Sequence, residues 1–215
     1  MIELRNVSKS FNGFEALKNI NLSIERGDYV AICGRSGSGK STLLNLIGGL
    51  DKPTTGSLQV MNIDFANASD DELADFRNQK IGFVFQSYHL EPVYSVYKNI
   101  QIPLLIANIG RKESKSRVEA IAKKLGTFSK LNNIANVLSG GEKQRVAIAR
   151  ALVNNPEIII ADEPCGNLDT KNSKAVMDIL EELSKEGKTI ILVTHQESDA
   201  KRARRIVTLK DGQII

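Results

Sequence analysis

The stretch YVAICGRSGSGKSTLLNLI, residues 29–47, decides the fold. Its first five residues form a short apolar run of the kind found in strands that are buried on both faces. The residues from Lys40 onward carry leucine and isoleucine at helical spacing. Between these two patterns, Gly34 to Thr42 contain the motif G-x-x-x-x-G-K-[ST], which arises by chance in a chain of this length about once in a hundred. The stretch therefore predicts a strand, a phosphate-binding loop and a helix in succession.

The chemistry expected of this loop follows from its residue types. Glycines allow backbone N–H groups to curve around phosphate oxygens without a side-chain clash. Lys40 is expected to reach the β- and γ-phosphates, Ser41 to ligate Mg²⁺, and Thr42 to donate to a phosphate. The predicted nucleotide-binding residues of the loop are Gly34, Arg35, Ser36, Gly37, Ser38, Gly39, Lys40, Ser41 and Thr42.

Three further apolar runs predict buried strands, and each is followed by polar residues. The runs are IGFVF (81–85), IIIA (158–161) and TIILVT (189–194). Gln86 follows the first run, Asp162 and Glu163 the second, and His195 the third. Because ligands of parallel sheets bind outside the carboxyl ends of the strands, we expect these side chains to share one crevice with the loop.

Two carboxylates at one strand end suit the chemistry of a bound triphosphate. Asp162 is suited to hold Mg²⁺ through water, and Glu163 to polarise the water that attacks the γ-phosphate. An acidic turn that merely caps the next element is the alternative, which the neighbouring loop disfavours. A lone polar residue after a strand is more often a satisfied hydrogen-bonder than a ligand. The edge that Gln86 and His195 share with the loop nevertheless favours catalytic roles for both, with Gln86 also a metal ligand. His89 lacks that placement, and we assign it no role.

Composition places few restrictions on function. The 215 residues are 41% hydrophobic and 25% charged, with a net charge of +4, as expected for one globular domain with an ample core. Cys33 and Cys165 lack metal-ligand spacing, which favours a reduced, cytosolic chain. A contact with nucleic acid or anionic lipid is the alternative for KRARR (201–205), but we favour a solvated helix face and expect no nucleic-acid partner. No signal-peptide pattern opens the sequence, and the apolar stretch at 99–110 is too short to span a bilayer, so membrane action is expected to need another protein.

The remaining patterns predict two kinds of structure. Residues 2–7 and the alternation of Ile20, Leu22 and Ile24 predict a half-exposed, antiparallel sheet. Between Gln86 and Pro156 no comparable buried strand is found, and a mostly helical insert is expected there. Helices are predicted at 111–126, after Ser139, and at 173–187, with Gly187 near the last helix end.

A second glycine-opened helix start lies in NVLSGGEKQRVAIAR, residues 136–150. Ser139 precedes Gly140 and Gly141, and free N–H groups at such a start bind anions. An N-cap role for Ser139 is a structural interpretation that is compatible with anion binding. Its glycines are not followed directly by a lysine and a metal-binding hydroxyl, as Gly39 is by Lys40 and Ser41 in the first loop.

The segment LSGGEKQR, combined with the first loop, IIIADEP, GNLD (166–169) and His195, closely resembles the ATPase subunit of ATP-binding-cassette (ABC) transporters. The motifs occur in the family's order over essentially the whole chain. The resemblance implies an α/β fold: a P-loop NTPase core with a mostly parallel sheet, an antiparallel β-subdomain and an inserted helical subdomain. It implies one ABC ATPase domain over 1–215, with the core and β-subdomain at 1–86 and 156–215 and the helical signature subdomain at 87–155.

The resemblance also implies how the two glycine loops are used. Two copies are expected to pack head to tail around two ATPs with Mg²⁺, so that Ser139, Gly140 and Gly141 bind the γ-phosphate held by the partner copy. Asp169 is then expected at the dimer seam, and Phe11 on the adenine, where the family more often has tyrosine. Lys40, Gln86, Glu163 and His195 are the implied catalytic residues. Cys165 stands where threonine is frequent, which raises the hypothesis of a thiol-sensitive enzyme.

Only a closer resemblance, to one subgroup of the family, indicates which process the hydrolysis of ATP drives. In the family, the region Tyr88 to Leu105 receives a short helix of an integral membrane permease, so this chain is expected on the cytoplasmic face, peripheral to the membrane through that partner. The chain is most similar to the subgroup of macrolide and antimicrobial-peptide exporters, lipoprotein-release ATPases and the cell-division ATPase. We favour export of a peptide, antibiotic or lipid-linked substrate. A mechanotransmission ATPase that regulates a cell-wall hydrolase or sensor is the alternative, and a soluble cassette acting on ribosomes or DNA is a third class.

Overall fold

The computed structural model of the chain describes all 215 residues as ten strands and seven α-helices. The strands are β1 (Ile2–Phe11), β2 (Phe14–Ile24), β3 (Tyr29–Cys33), β4 (Thr55–Val60), β5 (Ile63–Asp64), β6 (Ile81–Phe85), β7 (Ile158–Asp162), β8 (Thr189–Val193), β9 (Arg205–Lys210) and β10 (Gln213–Ile214). The helices are α1 (Lys40–Ile47), α2 (Asp70–Lys80), α3 (Val96–Ile106), α4 (Arg111–Lys124), α5 (Gly140–Leu152), α6 (Thr170–Lys185) and α7 (Glu197–Ala200). Phe128–Lys130 and Ala135–Val137 form single 3₁₀ turns.

A six-stranded sheet in the order β10-β9-β3-β8-β7-β6 forms the centre of the molecule. Its strands from β9 to β6 are parallel, and only β10 is antiparallel to its neighbour. Apolar side chains of these strands fill a core on each face: Ile158 and Ile160 pack on one side, Ile159 and Ala161 on the other. Burial on both faces explains the continuous apolar runs. The prediction of a mostly parallel core is therefore confirmed.

A four-stranded sheet in the order β2-β1-β4-β5 covers one face of the central sheet. All of its pairs are antiparallel, as predicted. Strand β1 continues past the predicted end at Val7 to Phe11, with register shifts along its pairing with β2. Asn12 and Gly13 then close the hairpin with φ values of 48° and 84°, the pattern of a two-residue turn that matches strand twist. The hairpin places Phe11 directly opposite Phe14.

The segment between β6 and β7 contains α3, α4 and α5 and no strand of either sheet, as expected for a helical insert. Their apolar faces share a core with α6 on the second face of the central sheet. The exact division at residues 86/87 and 155/156 stays a prediction. None of the helices combines the length with the apolar character that crossing a bilayer requires.

Two further features differ from the sequence expectations. Helix α2 was not predicted, because only Leu73 and Phe76 give it a buried apolar face. Its start carries a capping box, in which Ser69 and Glu72 satisfy each other's backbone N–H groups, and that S-x-x-E signal could have revealed it. The interpretation of residues 201–205 as a helix face is wrong: α7 ends at Ala200, and the basic residues form a turn that leads into β9.

Candidate nucleotide-binding site

A cavity of about 760 Å³ opens at the carboxyl ends of β3, β6, β7 and β8. The strand ends contribute Gln86, Asp162, Glu163, Val193 and His195. The glycine loop contributes Gly34, Arg35, Ser36, Gly37, Gly39, Lys40, Ser41 and Thr42, and the first hairpin contributes Phe11, Phe14 and Ala16. The structure thus brings together all the strand-end residues that the sequence placed at one edge.

The glycine loop is held in a shape that leaves backbone donors free. The Lys40 ammonium donates to the carbonyl oxygens of Gly34 and Arg35, both at 2.9 Å. Gly39 has a φ of 102°, and a Cβ there would lie 2.7 Å from the Ala16 carbonyl oxygen, so only glycine fits. The N–H groups of Gly37 and Gly39 have no acceptor within the protein. Ser38 is the exception among the nine predicted loop residues, because it is buried and does not line the cavity.

The residues present fit a nucleoside triphosphate with Mg²⁺. Unpaired N–H groups, the Lys40 ammonium and the start of α1 provide positive potential for phosphates. Ser41, Gln86 and Asp162 offer the oxygen ligands that Mg²⁺ prefers. No group of three or more His, Cys, Asp or Glu side chains capable of holding a metal exists in the structure. A site with one carboxylate suits Mg²⁺, which keeps waters and substrate phosphates as its other ligands.

Asp162 and Glu163 face the same cavity although they are consecutive residues. Side chains of a regular strand alternate between faces, but Glu163 has a φ of 47°, in the left-handed region. That conformation costs roughly 1–2 kcal/mol for a residue with a Cβ. The Glu163 N–H donates to the Val193 carbonyl oxygen at 2.9 Å, which ties the turn to the neighbouring strand β8. The strained turn thus gives both carboxylates to one site.

The two carboxylates have different surroundings. Burial raises the pKa of Asp162, the Glu163 charge raises it further, and Lys40 acts in the opposite direction. The Glu163 carboxylate lies 2.8 Å from His195 Nδ1, and its side chain is 18% exposed against 64% for His195. A glutamate that is oriented by a histidine and protected from solvent is arranged to accept a proton from water.

The second glycine loop lies outside this cavity, since Ser139, Gly140, Gly141 and Asp169 are absent from its lining. Ser139 is the N-cap of α5, as the structural interpretation predicted, and shares a capping box with Glu142. The Glu142 carboxylate accepts from the Ser139 N–H at 2.9 Å and from its hydroxyl at 3.0 Å. These bonds lower the pKa of Glu142. An anion that reaches the Ser139 hydroxyl must therefore replace a carboxylate that is already there.

Gly141 and Asp169 are connected through Asn172. Asp169 is the N-cap of α6 and accepts from the Asn172 N–H at 2.7 Å and from its side-chain amide at 2.9 Å. A Cβ at Gly141 would lie 2.9 Å from Asn172 Nδ2 and nearer still to Oδ1 and Cγ. The absence of a side chain at Gly141 therefore allows α5 and α6 to start side by side. The second glycine loop and Asp169 form one surface.

A second groove, of about 520 Å³, lies between the central sheet and α3. We call it the docking groove. Its lining is Leu50, Ala74, Arg77, Asn78, Ile81, Phe83, Phe85, His89, Ile102, Pro103, Ile106, Arg150, Ala151 and Asn154. It contains two arginines and no carboxylate, so the groove is apolar with positive charge. The predicted docking region, Tyr88 to Leu105, contributes His89, Ile102 and Pro103 to it.

Sequence reasoning missed three residues that line these two sites. Phe14 and Ala16 line the nucleotide cavity, and the Asn12–Gly13 turn is the signal that pairs Phe14 with Phe11. His89, which has no role in the sequence prediction, lines the docking groove. The structure disfavours the hypothesis of a thiol-sensitive enzyme at Cys165, because this thiol is buried and burial raises its pKa to about 12.

Fold and site together define a P-loop ATPase cassette: a parallel sheet whose strand ends hold a phosphate loop and a pair of carboxylates, with a second glycine loop outside that cavity. The family model described as ABC transporter matches residues 17–166. This chain belongs to the ABC transporter family and corresponds to the ATP-binding ATPase component of such a transporter. Proteins of this class bind ATP with Mg²⁺.

The matches to similar proteins extend over the whole length of this chain. The uncharacterized ABC transporter ATP-binding protein YknY of Bacillus subtilis (strain 168) is 48% identical over 100% of this chain and 95% of its own length. The macrolide export ATP-binding/permease protein MacB of Mannheimia succiniciproducens is 46% identical over 100% of this chain, but the match spans 34% of that protein. The dimeric, post-hydrolysis structure of the cassette MJ0796 bound to ADP and Pi superimposes with a TM-score of 0.91 at 44% identity, covering 100% of this chain and 96% of the other.

Proposed function

We propose that two copies of this chain close head to tail around two ATPs, and that the motion drives a separate membrane permease that exports a peptide, antibiotic or lipid-linked substrate. The observation that carries the proposal is the position of Ser139, Gly140 and Gly141 outside the cavity of their own chain. The start of α5 can bind an anion but lies outside the nucleotide cavity of its own chain, so the anion must come from another molecule. A partner copy supplies such a ligand, the γ-phosphate in its own loop. The dimeric MJ0796 cassette supports this arrangement.

In this proposal, each residue of the cavity has a distinct role. The loop from Gly34 to Thr42 binds the phosphates, and Phe11 stacks on adenine. Ser41, Gln86 and Asp162 hold Mg²⁺, which when bound neutralises charge on the β- and γ-phosphates. Glu163 accepts the proton of the attacking water, oriented by the His195 imidazole 2.8 Å away.

The docking groove is the proposed seat of the permease. Its floor of phenylalanine and isoleucine suits a short amphipathic helix. Because Arg77 and Arg150 lie in it without a carboxylate, we expect an acidic residue on that helix. MacB, which joins an ATP-binding part to a permease in one protein, supports both a membrane partner and export. A cassette that docks on a permease in this way acts peripherally, on the cytoplasmic face.

The experiment that tests the catalytic proposal is Glu163→Gln. Loss of the general base should lower ATP turnover by about 10²- to 10⁴-fold, while ATP binding persists and an ATP-dependent dimer accumulates on size exclusion. Glu157→Gln is the matched control, because Glu157 precedes the same strand at its opposite end and pairs only with Arg26 and Lys80. That variant should keep its turnover.

Turnover of Glu163→Gln at the wild-type rate would contradict the catalytic proposal, because it would remove Glu163 from the reaction. A variant that stays monomeric at saturating ATP would show that the isolated copies need their membrane partner to close. Reconstitution of the cassette with its co-purified permease in vesicles then separates export, which moves substrate across the bilayer, from mechanotransmission, which moves none.

A further inference from the structure

The Phe11 ring lies beside a partly buried lysine on its own strand. The Lys9 ammonium lies 4.9 Å from the ring centroid, within the range of a cation–π interaction. The Lys9 side chain is only 13% exposed. Its ammonium donates to the Asp51 carboxylate at 2.6 Å and to the Lys52 carbonyl oxygen at 2.8 Å. The cation is therefore fixed by two oxygens before it meets the ring.

The loop that anchors Lys9 is itself joined to β1. The Ser10 N–H donates to the Thr54 hydroxyl at 3.0 Å, and the Thr54 N–H donates to the Ser8 carbonyl oxygen at 2.9 Å. These bonds flank Lys9 on both sides along the strand. The segment after α1 is therefore joined to β1 through Thr54 as well as through the ion pair of Lys9 with Asp51. The position of the Lys9 ammonium is set by the fold, not by a flexible surface contact.

The Phe11 ring lines the nucleotide cavity, whereas the lysine that contacts this ring does not. Phe11 lines the cavity and is 46% exposed, whereas Lys9 is absent from the lining. A half-exposed phenylalanine at the end of a hairpin otherwise retains rotamer freedom, which a ligand must remove when it binds. A phenylalanine also has no hydroxyl with which to anchor itself.

We propose that Lys9, anchored by Asp51, is a positioning residue for the nucleobase: it fixes the Phe11 ring so that its free part is already oriented for stacking. The inference rests on the proposed contact of Phe11 with adenine. Lys9 contacts the ring and not the nucleotide, so its effect depends on the presence of a base. It has no effect on the binding of phosphates alone.

A simpler role for Lys9 is to tie β1 to the Asp51 loop. That role predicts a less stable protein with equally weakened binding of every ligand. The positioning role predicts a loss that is confined to ligands with a base and that is rescued by another cation. The two roles therefore differ in what calorimetry measures.

The test uses isothermal titration calorimetry of the full chain with EDTA, so that no hydrolysis occurs, and compares ATP with inorganic tripolyphosphate. Lys9→Met should weaken ATP binding about two- to fivefold, the range of a partly exposed cation–π interaction, and leave tripolyphosphate binding unchanged. Lys9→Arg should restore ATP binding. Lys123→Met is the matched control, because the Lys123 ammonium lies 4.8 Å from the Phe128 ring outside the cavity.

A double-mutant cycle with Phe11→Ala shows whether a negative result concerns the role of Lys9 or the contact of Phe11 with adenine. If Lys9 acts through the ring, Lys9→Met has no further effect on ATP affinity in the Phe11→Ala background. Equal losses for ATP and tripolyphosphate, or no rescue by arginine, would overturn the inference in favour of a structural role. Unchanged ATP affinity in Phe11→Ala would overturn the adenine contact itself, and the inference with it. A loss in Phe11→Ala without one in Lys9→Met overturns only the role of Lys9.

Discussion

Gly141→Ala tests whether α5 and α6 must start in direct contact. A Cβ at this position would lie 2.9 Å from Asn172 Nδ2 and nearer still to the other atoms of that amide. No real Cβ makes such a contact, so the Asn172 side chain must leave its place. Its amide then loses the 2.9 Å hydrogen bond to the Asp169 carboxylate, which also caps α6.

The expected magnitude follows from two contributions. Overpacking costs about 1–3 kcal/mol, whereas replacement of glycine by alanine within a helix returns up to about 1 kcal/mol. The lost hydrogen bond adds no figure, because the Asp169 carboxylate is exposed and water can replace the amide. The free energy of unfolding should therefore fall by about 1–2 kcal/mol. For a chain of 215 residues, this lowers the midpoint of thermal unfolding by about 2–8 °C.

Denaturant unfolding of Gly141→Ala, Asn172→Ala and the double variant checks the steric reasoning. With the amide removed, alanine at 141 should cost at least about 1 kcal/mol less than in the wild-type background. Gly140→Ala is the control, because its nearest neighbour is the Tyr88 hydroxyl at 3.0 Å, the far end of a side chain that can move. A cost for Gly141→Ala that is the same with and without Asn172 would refute the reasoning.

Three further predictions concern single side chains. Ser139→Ala should lower the free energy of unfolding by about 1 kcal/mol through loss of the α5 cap and should weaken the ATP-dependent dimer on size exclusion. Without Mg²⁺ and nucleotide, Asp162→Asn should raise the thermal midpoint at pH 7. Burial and the Glu163 charge raise the pKa of Asp162, so its ionised form destabilises the fold, and the gain should shrink as acid protonates the wild-type carboxyl. Cys165 should stay unmodified by iodoacetamide at pH 8, with or without ATP, and react only after unfolding; labelling of the native protein would contradict its burial.

The parts of the site that local sequence specifies were predictable. Ile158 to Ala161 must be a strand that is covered on both sides, because its four residues are apolar without alternation. In a parallel sheet, the residues after such strands share one edge, so Gln86, Asp162 and His195 could be placed together without coordinates. The glycine loop was predictable for the same reason, since its geometry depends on its own residues.

The parts that depend on contacts distant in sequence were not predictable. Lys9 meets Asp51 only because β1 and the loop after α1 are adjacent in space. The left-handed turn at Glu163 depends on a bond to Val193 in the next strand. Nothing in the local residue pattern marks either one, because glutamate rarely adopts a positive φ.

The docking groove and the nucleotide cavity share one short segment of chain. Phe85 and His89 line the groove, and Gln86, between them in sequence, lines the cavity. Tyr88 and His89 both have positive φ values, and Arg150 donates to both of their carbonyl oxygens. Such strained conformations persist because the surrounding contacts hold them.

A helix seated in the groove would therefore contact the guanidinium that holds the segment carrying Gln86. Proximity alone does not couple the two sites: a partner that binds the open and closed forms equally tightly shifts neither. Coupling requires that the Arg150 contacts or the bond between Asn167 Nδ2 and the Gln86 carbonyl oxygen, 3.1 Å in this structure, differ between the two forms. If both sets of contacts persist unchanged in the closed dimer, the groove and the cavity are neighbours without energetic communication through this segment.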